Sequence, residues 1–237
     1  MPIKFFGRGS AFADEHNSAF FVSGNDLVLI DCPATAFHKV KKTGWQKYDN
    51  IFVLVTHTHE DHVGGIGTLI PFVWFMSGMK KRVTVAAPSQ QVKEDLRLLL
   101  GRVGGCEDGW YDLITADETG REWFVSAVPT IHSATLKGRC FGYQLSIGGR
   151  NVLYTGDTST LAPFIPRLSA GSCLYTEISC FSSGVHLFID DTLPQLMQLA
   201  GNGVEIYLMH LDDEQKTAAA IEGTGIHLAP LYSADDI

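Results

Sequence analysis

The feature that most constrains this chain is a cluster of histidines and acidic residues directly after an apolar run. The run Ile51–Val55 is typical of a buried strand, and the sequence THTHEDHVGG follows it without a break. Side chains two residues apart share one face of an extended chain, so His57 and His59 can converge on one cation. The turn that must follow presents Asp61 and His62 to a neighbouring position. Mixed histidine and carboxylate ligands suit zinc, with manganese or iron as alternatives, so the cluster predicts a metal site at a strand end.

Size and charge limit the class of protein. The chain has 237 residues, 45% of them hydrophobic, and no linker, low-complexity run or convincing internal repeat divides it, so a single domain over residues 1–237 is predicted. The longest apolar stretch, Ile66 to Met76, falls short of the roughly 18 to 20 residues that span a bilayer, so no membrane association is expected. The net charge of −8 disfavours long nucleic acids, which are bound through many Lys/Arg–phosphate contacts. A small molecule or a short nucleotide is the expected partner, and a homodimer is compatible with the sequence.

The cysteines indicate a reducing compartment. There are five, an odd number, and no two form a Cys-x-x-Cys pair. This pattern argues against a disulfide framework and is typical of the cytoplasm, which is the expected location.

Strand-like runs dominate the chain and alternate with helical patterns. The predicted strands cover residues 18–22, 27–31, 51–55, 82–87, 122–128, 141–147, 151–155, 173–178, 205–209 and 227–231. The predicted helices cover residues 35–42, 65–75, 89–100, 192–200 and 213–222. Because the first half holds strand pairs without helices, an all-parallel sheet is disfavoured. An α/β or α+β arrangement of mixed sheets covered by helices is predicted.

Several further polar residues lie at, or within a few residues after, the ends of predicted strands. These residues are Asp31, His132, Asp157 and His210. A sheet can aim side chains at its strand ends, from distant parts of the chain, into one cleft. The same positions are therefore expected to join the histidine cluster in one site.

Taken in order, these motifs resemble those of the metallo-β-lactamase superfamily, over essentially the full length of the chain. The matching set is Asp31, His57-x-His59-x-Asp61-His62, His132, Asp157 and His210. The resemblance implies a four-layer αββα sandwich with two divalent metal ions, zinc above all, in a groove at one sheet edge. Antibiotic-hydrolysing members carry a cysteine in place of Asp157 and flavodiiron members a glutamate in place of His59, so neither activity is indicated.

The resemblance also implies a role for each site residue. The first metal ion would be held by His57, His59 and His132, and the second by Asp61, His62 and His210. Asp157 would bridge the two ions. Asp31 would not bind metal but would brace the metal loop by hydrogen bonds.

A finer resemblance is to the ribonuclease Z-like phosphodiesterase branch of that superfamily. It rests on the segment GRGSA from Gly7 with the later Asn17–Ser18, and on FGY at 141–143 and GDT at 156–158. Glu177 lies nine residues before His186, and the two occupy the places of the branch's paired glutamate and histidine. In that branch the histidine protonates the leaving alkoxide and the glutamate orients it. Here the histidine begins the sequence HLF rather than the branch's His-Ser-Thr.

Chemically, the motifs predict a metal-dependent hydrolase. Two metal ions can share a bridging hydroxide that attacks the substrate, and metal binding lowers the pKa of water to about 7. The candidate catalytic residues are Asp61, Glu177 and His186. No long insertion resembles the arm with which tRNA-processing members grip tRNA, so a small phosphodiester is favoured, either a cyclic nucleotide or a short RNA. Hydrolysis of a lactone, thioester or other carboxylic ester is the alternative, and a non-catalytic binding module is a third.

One loop offers candidates for a surface on which a base or ring could stack. Trp110 and Tyr111 follow the glycine-bounded segment 104–109. The sequence makes these two aromatics better candidates for a stacking wall than the aromatics of the predicted helix 65–75.

Overall fold

The protein is built on two six-stranded mixed sheets, and the computed structural model describes residues 1–232. The first sheet contains the strands β1 Lys4–Gly7, β2 Ser18–Ser23, β3 Asp26–Ile30, β4 Asn50–Leu54, β5 Val83–Ala87 and β6 Tyr111–Thr115. They lie in sequence order. The pairs β1–β2 and β2–β3 are antiparallel, and the strands from β3 to β6 run parallel.

The second sheet repeats this topology. It contains β7 Phe124–Pro129, β8 Phe141–Ile147, β9 Arg150–Tyr154, β10 Cys173–Glu177, β11 Glu205–Met209 and β12 His227–Leu228. The pairs β7–β8 and β8–β9 are antiparallel, and the strands from β9 to β12 run parallel. The two halves therefore share a strand order, although no repeat is visible in their sequences.

Six α-helices accompany the sheets within residues 1–232. They are α1 Ala34–Val40, α2 Glu60–Val63, α3 Ile66–Met76, α4 Gln90–Arg97, α5 Ile189–Gly201 and α6 Glu214–Ala220. The α4 helix continues as a π-helical turn over Leu98–Val103. Ser89 and Asp213 cap α4 and α6, since each side chain accepts a hydrogen bond from a first-turn amide.

Three hydrophobic cores define the layers. The central core lies between the sheets and is rich in aromatic residues, among them Phe21, Tyr143 and Tyr175. A second core joins the first sheet to α1, α3 and α4, and a third joins the second sheet to α5 and α6. The order is therefore helices, sheet, sheet, helices, which confirms the predicted αββα sandwich of mixed sheets.

The predicted strands are confirmed with ends that shift by a residue or two, except at the chain's last strand. That strand spans His227–Leu228 rather than 227–231. Two edge strands, β1 and β6, and the short α2 were not predicted. The segments β1 and α2 have four residues each and carry little periodicity, and β6 is half-buried or exposed along its length without a buried alternation. All five cysteines are free thiols. Among residues 1–232, no helix combines the length and the apolar character needed to cross a membrane.

Candidate metal centre

The site lies where the parallel strands of both sheets end. The first sheet contributes Asp31, directly after β3, and the loop after β4 that carries His57, His59, Asp61 and His62. The second sheet contributes His132 after β7, Asp157 after β9, Glu177 at the end of β10 and His210 after β11. The residues predicted as metal ligands, together with Asp31 and Glu177, are thus at one edge of the sandwich.

Close backbone packing holds the metal loop against the turn after β3. The Cys32 amide donates to the His62 carbonyl at 2.7 Å, and the Gly65 amide donates to the Cys32 carbonyl at 2.8 Å. A Cβ at Gly65 would lie 2.4 Å from the Pro33 carbonyl oxygen. Glycine is therefore required here, because a side chain would push the metal loop away from the neighbouring turn.

The first ligand set brings three imidazoles together. His59 Nδ1 lies 2.9 Å from His57 Nε2 and 3.3 Å from His132 Nε2. Donor atoms on a tetrahedral zinc, at about 2.0 to 2.1 Å from the metal, are themselves roughly 3.3 Å apart. Asp157 Oδ2 completes the set at 3.8 Å from His57 Nε2 and 3.7 Å from His132 Nε2.

The second ligand set contains Asp61, His62 and His210. Asp61 Oδ2 lies 3.3 Å from His62 Nε2 and 3.2 Å from His210 Nε2. Asp157 also faces this set, since its Oδ1 lies 3.5 Å from His62 Nε2 and its Oδ2 lies 3.5 Å from His210 Nε2. One carboxylate therefore stands between the two sets, where the resemblance puts a bridging ligand.

Asp31 lies behind these ligands and contacts the backbone and side chains that carry them. Its Oδ1 accepts from the Thr56 amide at 2.7 Å. Its Oδ2 accepts from the Thr56 hydroxyl at 2.7 Å and from His62 Nδ1 at 2.8 Å. Because a carboxylate only accepts, His62 must donate from Nδ1, which leaves its Nε2 directed at the second set.

Thr56 extends the same network to the first set. Its hydroxyl hydrogen is used on Asp31, so the hydroxyl oxygen accepts from His57 Nδ1 at 3.1 Å. The Nε2 atom of His57 is thereby left for a metal ion. His132 is oriented in the same way, since its Nδ1 donates to the Val185 carbonyl at 2.9 Å. Nothing in the sequence pattern singled out Thr56.

The two sets differ in charge. Burial lowers the pKa values of His57, His59 and His132, and this effect outweighs the attraction of nearby carboxylates. Burial also opposes protonation of His62 and His210, but Asp157, with Asp31 or Asp61, outweighs it and raises both pKa values. Without metal, protonation is therefore disfavoured at the three imidazoles of the first set and favoured at His62 and His210.

The residues fit divalent metal ions. The buried Nε2 atom of His62 has no hydrogen-bond partner of acceptable geometry, although it faces carboxylates on two sides. Buried polar atoms are rarely left without a partner, and a cation between the carboxylates and imidazoles would satisfy this one. The potential ligand atoms within each set lie within 4.8 Å of one another. The cluster is thus suited to divalent metal binding by its chemistry and its spacing.

Glu177 and His186 form a pair beside the ligand sets. His186 Nδ1 lies 3.0 Å from both carboxylate oxygens of Glu177. Glu177 is fully buried, and burial followed by the charge of Asp157 raises its pKa well above the usual range. The His186 ring is centred 4.8 Å from that of His132 and 5.4 Å from that of His210. The structure therefore brings together the glutamate and histidine that the sequence separates by nine residues.

A cleft of about 250 Å³ opens over the ligand sets and is lined by Phe12, His132, Val185 and His186 among others. Trp110 and Tyr111 line no cavity at this edge. Trp110 instead packs edge-on against Phe75, with ring centroids 5.2 Å apart, and Tyr111 begins β6. The prediction of a stacking wall at these two residues is therefore wrong, because the loop before them ends in an edge strand that packs on the helix-side core.

The sequence of the chain is similar to those of known proteins. The family model described as "Anti-Pycsar protein Apyc1" matches residues 1–228. A relative of that name from Saccharibacillus brassicae is 40% identical over 235 residues, covering 91% of this chain and 92% of its own.

Two solved structures share the fold. The metallo-β-lactamase fold protein YhfI from Bacillus subtilis has a TM-score of 0.74 at 19% identity, covering 98% of this chain and 96% of its own. The short form of human tRNase Z has a TM-score of 0.68 at 16% identity, covering 100% and 98%. The metallo-β-lactamase fold predicted from the motifs is confirmed.

Proposed function

The chain belongs to the anti-Pycsar protein Apyc1 family, and from the geometry of its site we propose that it is a metal-dependent phosphodiesterase that hydrolyses cyclic nucleotides. The observation that carries this proposal is the Glu177–His186 pair at the rim of the two ligand sets. An alkoxide leaves phosphorus poorly unless it is protonated, so a phosphodiesterase needs a positioned acid. A lactone or thioester depends on such an acid much less.

Two divalent ions fit the ligand sets. Six histidine and aspartate side chains would bind them, Asp157 would bridge them, and zinc suits this combination of ligands. When bound, the ions would polarise the phosphodiester and make water nucleophilic near neutral pH. The remaining work falls to the protein's own residues. Asp31 and Thr56 orient His62 and His57, so that each imidazole presents a lone pair at Nε2.

His186 is the proposed general acid. Glu177 accepts from its Nδ1, which fixes the orientation of the ring. In the reaction, water attacks phosphorus and the ester bond to the departing sugar oxygen breaks. That oxygen takes the proton that His186 gives up. The product of a cyclic nucleotide is then a nucleoside monophosphate.

The size and charge of the site favour a small substrate. The cleft over the ligand sets has a volume of about 250 Å³, at the low end for ligand pockets. The net charge of −8 also disfavours a long polyanion. A cyclic nucleotide carries a single negative charge, which matches both limits.

The test compares two leaving groups in the metal-loaded protein. His186→Ala should keep its metal content and lose about 10²- to 10⁴-fold in turnover of a cyclic nucleotide, because the departing alkoxide loses its acid. It should spare bis(4-nitrophenyl) phosphate, whose leaving group needs little protonation. Glu177→Gln should show a milder form of the same selectivity.

His38→Ala is the matched control, since His38 is an exposed histidine on α1 away from the cleft, and it should change neither rate. Equal losses on both phosphodiesters would contradict the general-acid role. If the loaded wild-type protein cleaved lactones or thioesters but no cyclic nucleotide, the phosphodiesterase proposal itself would fall.

A further inference from the structure

A second cavity, of about 340 Å³, adjoins the cleft over the ligand sets. Ala11, Phe12, His186 and His210 line both cavities, so the two form one continuous groove. Its volume lies within the range of small-ligand pockets. The groove is therefore large enough for the part of a substrate that extends away from the reacting phosphate.

Two phenylalanines line this second cavity from different loops, and neither is buried by the fold. The Phe12 side chain is fully exposed, at 102%, and Phe181 is 58% exposed. Exposed apolar side chains that gather at one cavity indicate a ligand-binding groove, whereas singly scattered ones do not. Lys216 Nζ lies 5.2 Å from the centre of the Phe181 ring, so one face of that ring is occupied.

Hydrogen bonds fix both loops relative to the metal ligands. The Ser10 amide donates to the Leu211 carbonyl at 2.8 Å, and the Leu211 amide donates to the Arg8 carbonyl at 2.8 Å, directly beside His210. In the other loop, the Cys180 amide donates to Oδ1 of Asp212 at 2.9 Å, two residues after His210. Both aromatic rings are thus carried on backbone segments anchored next to the site.

The charge of the second cavity indicates which part of a nucleotide enters it. Apart from the two shared histidines, Asp212 is its one charged lining residue within the described part of the chain, and no lysine or arginine lines it. A phosphate would be repelled there, whereas a neutral planar ring would not. A base can stack on aromatic side chains through its π-face whatever its identity.

We propose that Phe12 and Phe181 form the nucleobase subsite of this enzyme, which holds the base of a single-phosphate nucleotide while its phosphodiester lies at the metal centre. The proposal rests on the proposed function. It also argues against short RNA as the substrate, because a second phosphate would face Asp212.

The experiment compares a cyclic nucleotide with trimethylene phosphate, a cyclic phosphodiester without a base. Phe12→Ala and Phe181→Ala should each lower kcat/KM for the cyclic nucleotide roughly 5- to 150-fold, the range expected for loss of one stacking contact, mainly through KM. Turnover of trimethylene phosphate should fall much less in either variant, because this substrate has no base to stack. Phe12→Leu should behave like Phe12→Ala if the ring face matters, and Phe12→Trp should preserve the wild-type KM.

Phe75→Ala is the matched control, because Phe75 is 56% exposed but lies on α3 and lines neither cavity. It should change neither substrate's kinetics. Equal losses on both substrates in the Phe12 and Phe181 variants, or no loss on either, would overturn the subsite. If wild-type protein cleaved neither substrate, the proposed function would fail instead, and the two failures are thereby distinguished.

Discussion

Replacing Asp31 by asparagine tests how the protein orients its metal ligands. Asp31 has a φ of 60°, in the left-handed region that asparagine adopts readily, so the substitution keeps the backbone conformation. Only the hydrogen bonds change. An asparagine has one acceptor oxygen, whereas both oxygens of Asp31 accept, from the Thr56 amide and from the Thr56 hydroxyl and His62 Nδ1.

The outcome depends on where the new amide group lies. If its NH2 takes the Oδ2 position, two donors would face each other, the amide NH2 and the His62 Nδ1–H. His62 must then carry its proton on Nε2, which faces the second ligand set. Loss of such a supporting hydrogen bond typically reduces metal affinity about 10- to 100-fold, equivalent to about 1.4 to 2.7 kcal/mol. In the reverse orientation the NH2 would face the buried Thr56 N–H, which would lose its acceptor. An unpaired buried donor costs about 1 to 3 kcal/mol of stability. The first arrangement is favoured, because it keeps the backbone bond.

Metal titration followed by elemental analysis measures the effect. We expect Asp31→Asn to bind its second equivalent about 10- to 100-fold more weakly, to bind two again at saturating metal, and to recover activity with them. Asp26→Asn is the matched control. Asp26 is a buried aspartate at the opposite end of β3, bonded to Trp123 Nε1, and its variant should bind both equivalents normally. A second metal that stayed absent at saturation would make Asp31 a direct ligand, and unchanged affinities would refute the orienting role.

Further predictions concern the metal ions. The chain should bind two per molecule, and Asp61→Ala should bind one; elemental analysis that finds one in the saturated wild-type protein would contradict the dinuclear site. Binding of the second metal equivalent should release more protons than binding of the first, because His62 and His210 have raised pKa values and must lose protons to bind metal. The affinity for the second equivalent should therefore fall as pH falls. Calorimetry in two buffers of different ionisation enthalpy measures the number of protons released. Thr56→Val should weaken the first equivalent about tenfold or more by leaving His57 Nδ1 without an acceptor, and Thr56→Ser should restore it. Metal removal should lower the thermal midpoint, which differential scanning calorimetry would detect.

The sequence predicted the site better than it predicted the surface around it. His57, Asp61 and His62 lie within six residues after an apolar run, so local spacing alone indicated a metal site. The distant partners His132, Asp157 and His210 could be added because each follows a strand-like run. The carboxyl ends of the parallel strands meet at one edge of the sandwich. The residues after them can therefore be assigned to one site without knowing which strands are neighbours.

The residues that the sequence did not reveal lack such a pattern. Phe12 lies in an irregular loop, and Phe181 follows β10 in a glycine- and serine-rich segment, so no periodicity distinguishes them from other aromatics. Thr56 matters through two side-chain hydrogen bonds that depend on the exact approach of β3 to β4. The prediction for Trp110 failed for a different reason. The glycines before it suggested an exposed loop, but the chain there enters the edge strand β6.

The repeated topology of the two sheets predicts that metal binding also stabilises the fold. Each ligand set draws from both sheets: His57 and His59 meet His132 across the sandwich, and Asp61 and His62 meet His210. Without metal, protons on His62 and His210 offset the carboxylates of the second set, whereas burial disfavours protonation of the first-set imidazoles. A cation in each set would therefore add a link between the carboxyl ends of the two sheets, beside the backbone bridge that already joins Gly9 to Leu211. Such ions would also fix the width of the groove, because the Phe12 loop is bonded to Leu211 after β11 and the metal loop follows β4.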